Sequence, residues 1–141
     1  MKTLYLVAAR RYHVMENNHS RKDGETPTGT HTREARVDEI FTVLSDSRRR
    51  YVLYALQDEP QASVTDITRQ IIAWEHEVPA ETVPDEVVAE IETLLVHSHL
   101  PQLRNAGLVD YDQRSEQLVR RDLPALVEIC LEHCAEHDLP T

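Results

Sequence analysis

Glycine, lysine and long apolar runs are scarce in this chain of 141 residues, and each scarcity excludes a class of protein. Only three glycines, beside many Leu, Val, Ala, Glu and Arg residues, favour helices over a β-sandwich or barrel. The apolar run at residues 4–9 is too short for a membrane span or a signal peptide. The sequence has no phosphate-binding glycine loop, nucleophile elbow or HExxH motif. We therefore expect a cytoplasmic protein with one core, no membrane contact, no cofactor and no catalytic activity.

Positive charge is also scarce. Acidic residues outnumber basic ones 25 to 15, the net charge is −10, and only Lys2 and Lys22 are lysines. A carboxylate-rich surface keeps a protein hydrated and dispersed in very high salt. It counts against nucleic-acid binding, because Lys and Arg contacts with phosphates normally supply much of the affinity. Residues 1–36 carry seven basic groups against four acidic ones, so the acidic excess lies entirely in the remainder.

The beginning of the chain is predicted to be an arm. Residues 15–32 are polar and are broken by two glycines and a proline, which is typical of a linker or disordered segment. We expect residues 1–36 to be a basic, largely flexible arm and the folded domain to begin near Val37. From there, apolar residues at helical spacing predict helices over 37–44 and about 48–56, the second capped at residues 45–47. After a turn, we expect a one-bridge strand at residues 63–64. A third helix follows, and its buried surface is supplied by Ile67, Ile71, Ile72 and Trp74.

The most informative stretch reads as a helix that ends and becomes a strand. Apolar residues at helical spacing predict a fourth helix over about 85–105, with a kink or loosened turn at Pro101, which removes a backbone donor. Gly107 permits the helix to stop. The residues after it alternate as strands do, around a polar tip at 112–116, so a small hairpin over about 108–119 is expected.

This join, His99-Leu-Pro-Gln-Leu-Arg-Asn-Ala-Gly-Leu-Val109, resembles the end of the recognition helix in ArsR-like winged-helix repressors. Residues 38–53 are similar to a run found in small acidic winged-helix proteins of halophilic archaea, which is the closer likeness. The resemblance covers roughly residues 37–137. It implies a mainly α fold with a small β-hairpin, namely a winged helix-turn-helix domain at 37–121 with a C-terminal dimerisation helix at 122–141. It also implies a DNA-binding transcriptional regulator.

In that fold the fourth helix enters the major groove and the wing lies on the backbone. The outward row of the helix offers hydrogen-bonding groups for base edges and an arginine for a phosphate. Other arginines, at the wing tip and at the start of the second helix, are candidates for backbone contacts. The predicted DNA-binding residues are Thr93, His97, Ser98, Gln102, Arg104, Arg114, Arg48 and Arg49.

Alternatives stay open for these residues. Arg48 to Arg50 could be only a solvated helix start that pairs with Asp46 or Asp58. His97 and His99, two residues apart on a helix, are expected to be one exposed and one packed histidine rather than a metal pair. Three carboxylates on the fourth helix would repel phosphates unless the helix enters the groove by its middle and C-terminal part; they are Glu86, Glu90 and Glu92. A winged-helix module that docks proteins without binding DNA is therefore the competing interpretation.

The last helix is apolar over a broad arc, more than one flank of a small core requires. We therefore predict a two-fold homodimer on this helix, through Leu126, Val127, Cys130, Leu131 and Cys134. A stripe with the spacing i, i+3, i+4, i+7 carries ligand types that zinc, nickel or copper prefers: Cys130, His133, Cys134 and His137. One rigid helix cannot close a tetrahedron, so we favour cysteines in the dimer seam with histidines at its rim, and no metal. A metal- or thiol-responsive sensor is the third interpretation.

Overall fold

The computed structural model describes the backbone of residues 33–140 and the side chains from Arg36 onward. The predicted arm therefore lies almost wholly outside the described residues. The chain divides into two units, residues 1–45 and 46–141, and each is described by itself. No helix of the described part is long and apolar enough to cross a membrane.

The described part of the first unit is one helix, α1 (Arg33–Leu44). It begins before the predicted start at Val37, because Arg, Glu and Ala at residues 33–35 are good helix formers and no breaker follows them. Ile40, Val43 and Leu44 are buried. Val37 and Phe41, the other large apolar residues of this helix, are half-buried.

The second unit is mainly helical and contains a small sheet. Its elements in chain order are α2 (Ser47–Asp58), β1 (Gln61–Ser63), α3 (Val64–His76), a 3-10 turn (Ala80–Thr82), α4 (Asp85–Leu94), a π-helical segment (Leu95–His99), α5 (Leu100–Asn105), β2 (Val109–Asp112), β3 (Gln117–Arg120) and α6 (Ala125–Asp138).

Helix α2 lies at the centre of this unit, in contact with α3, β3 and α6. The Asp46 carboxylate caps it, as expected, by accepting the backbone N–H of Arg48 at 2.8 Å. Val52, Leu53 and Leu56 on α2 are completely buried. The core therefore sits around α2 and is closed by apolar residues from each neighbouring element.

The sheet has three antiparallel strands in the order β1–β3–β2. Leu118 in the central strand lies opposite Tyr111 on one side and Ala62 on the other, and it is completely buried. The predicted hairpin is confirmed as β2 and β3. The predicted one-bridge strand at residues 63–64 was misplaced, because β1 spans Gln61–Ser63 and pairs along its whole length.

The predicted fourth helix is α4, the π segment and α5 in succession, which we call the rod (85–105). Leu95 and Leu100 are both buried although five residues separate them. In an α-helix five residues advance the side chain by about 500°, so the two would point roughly 140° apart. The π turn adds one residue, with the Leu100 N–H donating to the Leu95 carbonyl, and brings both to the core. The loosened turn predicted near Pro101 is thus present, one turn earlier in the chain.

Candidate nucleic-acid interface

The structure places all five predicted rod residues on the solvent side. Thr93, His97, Ser98, Gln102 and Arg104 are exposed, while Leu95, Leu100 and Leu103 hold the opposite side in the core. The Thr93 hydroxyl donates to the Ala89 carbonyl at 3.0 Å, which leaves its oxygen able to accept a further hydrogen bond. The second half of the rod therefore presents a largely polar surface, which also contains the exposed side chain of Leu94.

Carboxylates divide the rod into two halves. Its first eight residues contain all four of its acidic side chains, and no Asp or Glu occurs from 93 to 109. Two of the four are engaged within the chain: Glu92 accepts the Thr65 hydroxyl at 2.7 Å, and Asp85 accepts from Arg69 at 2.7 Å. Glu86 and Glu90 remain exposed. Sequence reasoning placed Glu92 among the repelling groups, because its partner on α3 is distant in the sequence.

The tip of the β2–β3 hairpin presents Arg114. The Asp112 carboxylate accepts the Arg114 backbone N–H at 3.1 Å and the Ser115 hydroxyl at 3.0 Å. Glu116 completes the turn at φ +56°, in the left-handed region. These bonds order the backbone of the tip and leave the Arg114 side chain in solvent.

Three arginines form no ion pair with any residue of the described part: Arg104, Arg114 and Arg120. They lie on the rod and the hairpin. Arg120, half-buried at the end of β3, was not predicted as a site residue, because nothing in the sequence separates it from the adjacent Arg121. Arg121 donates to Asp110 at 3.2 Å.

The arginines at the start of α2 are tied to other elements. Arg48 donates to Glu75 on α3 through Nε at 2.7 Å and Nη2 at 3.2 Å, and this carboxylate raises the pKa of Arg48. Arg50 binds Asp138 on α6. The alternative of a solvated, paired helix start was therefore right only in part: Arg48 and Arg50 are paired, with Glu75 and Asp138, but the three arginines are part-buried or buried rather than solvated.

Arg49 is only 8% exposed, and its Nη1 lies 3.3 Å from Nδ1 of His99 in the π segment. Since a guanidinium can only donate, Nδ1 accepts and the ring proton sits on Nε2. Burial and this contact leave little of Arg49 for a phosphate, and Glu75 does the same for Arg48. Arg48 and Arg49, predicted as DNA contacts, are therefore better described as residues that bond α2 to neighbouring elements of the fold.

The two histidines of the π segment differ in environment. His97 is exposed and His99 is packed, as the sequence led us to expect. Burial lowers the pKa of His99, and Arg49 and Arg48 lower it further, whereas Asp46, 4.0 Å away, opposes them. His99 is therefore held neutral beside Arg49.

The family model of a domain of unknown function, DUF7344, matches residues 41–120. The chain belongs to the DUF7344 family. The matched range includes α2, the whole rod and the hairpin, so the candidate interface lies inside the DUF7344 domain, and α6 follows it. No curated protein and no solved structure matches the chain.

Helix α6, after the DUF7344 domain, buries most of the residues predicted for a dimer seam. Val127, Cys130, Leu131 and Cys134 are buried within the chain itself, and Leu126 is half-buried. The apolar side chain left in solvent is Ile129, 54% exposed. The homodimer stays a prediction, but its contact would centre on Ile129 and Leu126.

The four candidate metal ligands share one stripe of α6 but differ in exposure. Cys130 and Cys134 are buried, and burial raises the pKa of both thiols, whereas His133 and His137 are exposed. Within residues 33–140 no cluster of three or more His, Cys, Asp or Glu side chains is placed to hold a metal ion. Thiols kept protonated by burial are poor metal ligands and poor nucleophiles.

Proposed function

We propose that this DUF7344 protein is a winged helix-turn-helix transcriptional regulator that binds double-stranded DNA as a homodimer and catalyses no reaction. The rod enters the major groove, and the β2–β3 hairpin is the wing that contacts the flanking backbone. The observation that carries the proposal is the placement of the arginines that form no ion pair within the described part of the chain. Arg104, Arg114 and Arg120 share the hairpin and the carboxylate-free half of the rod, while other arginines are used inside the fold.

The order of elements supports the winged-helix interpretation. A short strand before α3 pairs with the second strand of the hairpin, and the rod leads directly into the first. The sheet therefore lies beside the end of the rod, where β2 contacts α5. Such a join lets a helix occupy a groove while the hairpin reaches the adjacent phosphates.

The acidic surface is compatible with this function in high salt. At molar ionic strength charges are screened within about 3 Å, so Glu86 and Glu90 repel phosphates only at close range. Counterion release also contributes less there. Affinity then depends on hydrogen bonds and apolar contacts to base edges, which the half of the rod from Thr93 to Arg104 can supply.

A homodimer is part of the proposal because a palindromic site needs two rods. Ile129 and Leu126 on α6 are the apolar residues with surface left to contact a second copy. The buried cysteines stay within each protomer.

The test uses the full chain and genomic DNA fragments in molar KCl. Wild-type protein should retain a specific subset of fragments. His97→Ala and Arg114→Ala should weaken that retention without changing the thermal unfolding transition, while Arg121→Ala, which removes an arginine paired with Asp110, should leave it nearly unchanged. Equal retention by all variants would remove the assigned contacts.

A protein-docking module is the second candidate, and one observation favours it. Val87 and Leu94 on α4 are 38% and 49% exposed, and Glu86 and Glu90 flank them. An apolar and acidic helix face suits a basic, apolar segment of another protein. This candidate predicts that the wild-type protein retains no genomic fragment at any salt concentration.

A further inference from the structure

Leu94 is the most exposed large apolar side chain of the rod, at 49%. It is the last residue of α4, immediately before the π segment. Thr93, His97 and Ser98 surround it in the sequence and are exposed as well. An exposed leucine among hydrogen-bonding groups cannot itself hydrogen-bond, so only an apolar partner gains from contact with it.

We propose that Leu94 contacts the methyl group of a thymine in the major groove and thereby selects DNA sites with thymine at that position. This inference rests on the proposed DNA-binding function. The thymine C5-methyl group is the apolar feature on the major-groove edges of the bases, and cytosine lacks it. The polar neighbours Ser98 and Gln102 read the hydrogen-bonding groups of adjacent bases, so the two kinds of contact complement each other.

The charge distribution assigns this role to Leu94 rather than to Val87. Val87 precedes Leu94 by seven residues, which places both on one stripe of α4, about 10 Å apart along the axis. Val87 is flanked by Asp85, Glu86 and Glu90, whereas Leu94 has a single exposed carboxylate within one helical turn before it, Glu90, and no acidic residue follows it in the rod. The phosphates that line the groove repel the carboxylates in the first half of the rod, whereas the second half has no carboxylate to repel. Val87→Ala is therefore a matched control for Leu94→Ala.

The experiment first selects a duplex from a random DNA pool with the wild-type protein in molar KCl. Each thymine of the selected site is then replaced singly by uracil, which pairs identically and lacks only the methyl group. We expect one replacement to weaken wild-type binding about fourfold, the factor that corresponds to one buried methyl group. Leu94→Ala should bind the thymine and uracil duplexes equally, and Val87→Ala should discriminate between them as the wild type does.

The outcomes separate this inference from the function on which it rests. If no duplex is enriched, the proposed function fails and the inference fails with it. If a duplex is enriched but no uracil replacement matters, or Leu94→Ala still discriminates, the thymine contact is wrong while DNA binding stands. Loss of discrimination in Val87→Ala would place the contact on the acidic half and would also overturn it. Because Leu94 is exposed, thermal unfolding of its variant should match that of the wild type.

Discussion

Arg50 and Asp138 join α2 to the last turn of α6 through two contacts, Nε to Oδ2 at 2.7 Å and Nη2 to Oδ1 at 3.0 Å. Both side chains are only 11% exposed. The Tyr54 hydroxyl donates to the same carboxylate at 2.7 Å, and the Tyr51 hydroxyl donates to the Asp138 carbonyl at 3.0 Å. Since the adjacent Arg49 reaches His99, α2 contacts both α6 and the rod through polar side chains.

Asp138→Asn should lower the free energy of unfolding by about 3 kcal/mol, because it removes the Asp138 counter-charge from the buried Arg50 guanidinium. Urea denaturation at constant high KCl measures this. Asp110→Asn is the matched control, since its pair with Arg121 is 58% and 55% exposed and is expected to change stability by less than about 0.5 kcal/mol. Equal effects of the two variants would contradict the structural role of Arg50 and Asp138.

Because of the Asp138 carboxylate, we expect the free energy of unfolding to depend on pH in the acid range. Burial alone would raise the pKa of Asp138, but hydrogen bonds from Arg50 and Tyr54 outweigh it, so the pKa is lowered from 3.8. The stabilisation is therefore complete above the unfolded-state value and is lost as the pH falls through the folded-state value. Unfolding measured between neutral pH and the acid limit should show this loss in the wild type, and Asp138→Asn should lack that contribution.

Because of His99, we expect stability to depend on pH in a second range, nearer neutrality. Burial lowers the pKa of His99 below 6.5, so the unfolded chain takes up a proton there before the folded chain does. Stability should therefore decrease as the pH falls below 6.5, until the folded-state pKa is reached. His99→Gln should remove this slope. His97→Gln, which changes the exposed histidine two residues away, should retain it, and a slope unaffected by His99→Gln would refute the assignment.

Leu100→Ala should be strongly destabilising. The side chain is 1% exposed because the π turn directs it to the core, so its truncation should cost about 3 kcal/mol through lost burial and a cavity. Leu94→Ala, on the exposed side of the rod, should cost less than about 0.5 kcal/mol. Thermal or urea unfolding distinguishes them. Similar costs would contradict the burial of Leu100 and the exposure of Leu94.

Ile129→Glu should dissociate the predicted homodimer, because it places a charge on the most exposed apolar residue of α6. Analytical ultracentrifugation of the full chain should show a dimer for the wild type and a monomer for this variant. Val119→Glu makes the same change at another exposed apolar residue, on β3, and should remain dimeric. A monomeric wild type would remove the dimer from the proposal.

The helices and the hairpin were predictable because their signals are local. Apolar spacing, Asp46 as a cap and Gly107 at φ +78° each mark an element or a boundary within a few residues. The π segment was only partly predictable. Pro101 signalled a loosened turn. The position of that turn depends on tertiary packing, because the π segment forms where both Leu95 and Leu100 must reach the core.

The exposure of the predicted residues on the rod and at the hairpin tip could be predicted from the sequence. Which charged side chains are engaged within the fold could not. The partners of Arg48 and Arg50 lie 27 and 88 residues away, so no local pattern reveals that these arginines are engaged. The same holds for Glu92, because its hydrogen bond with Thr65 depends on how α3 and α4 pack. Burial of Cys130 and Cys134 within one chain likewise follows from tertiary packing, which helical spacing alone does not specify.

The most direct test of the central claim is equilibrium binding of the full chain to a library of genomic duplex fragments, over KCl concentrations from dilute to several molar. The account predicts that a reproducible subset is retained in molar KCl and that Arg104→Ala and Arg114→Ala each weaken its binding. Failure of the wild-type protein to retain any fragment at any salt concentration would contradict it.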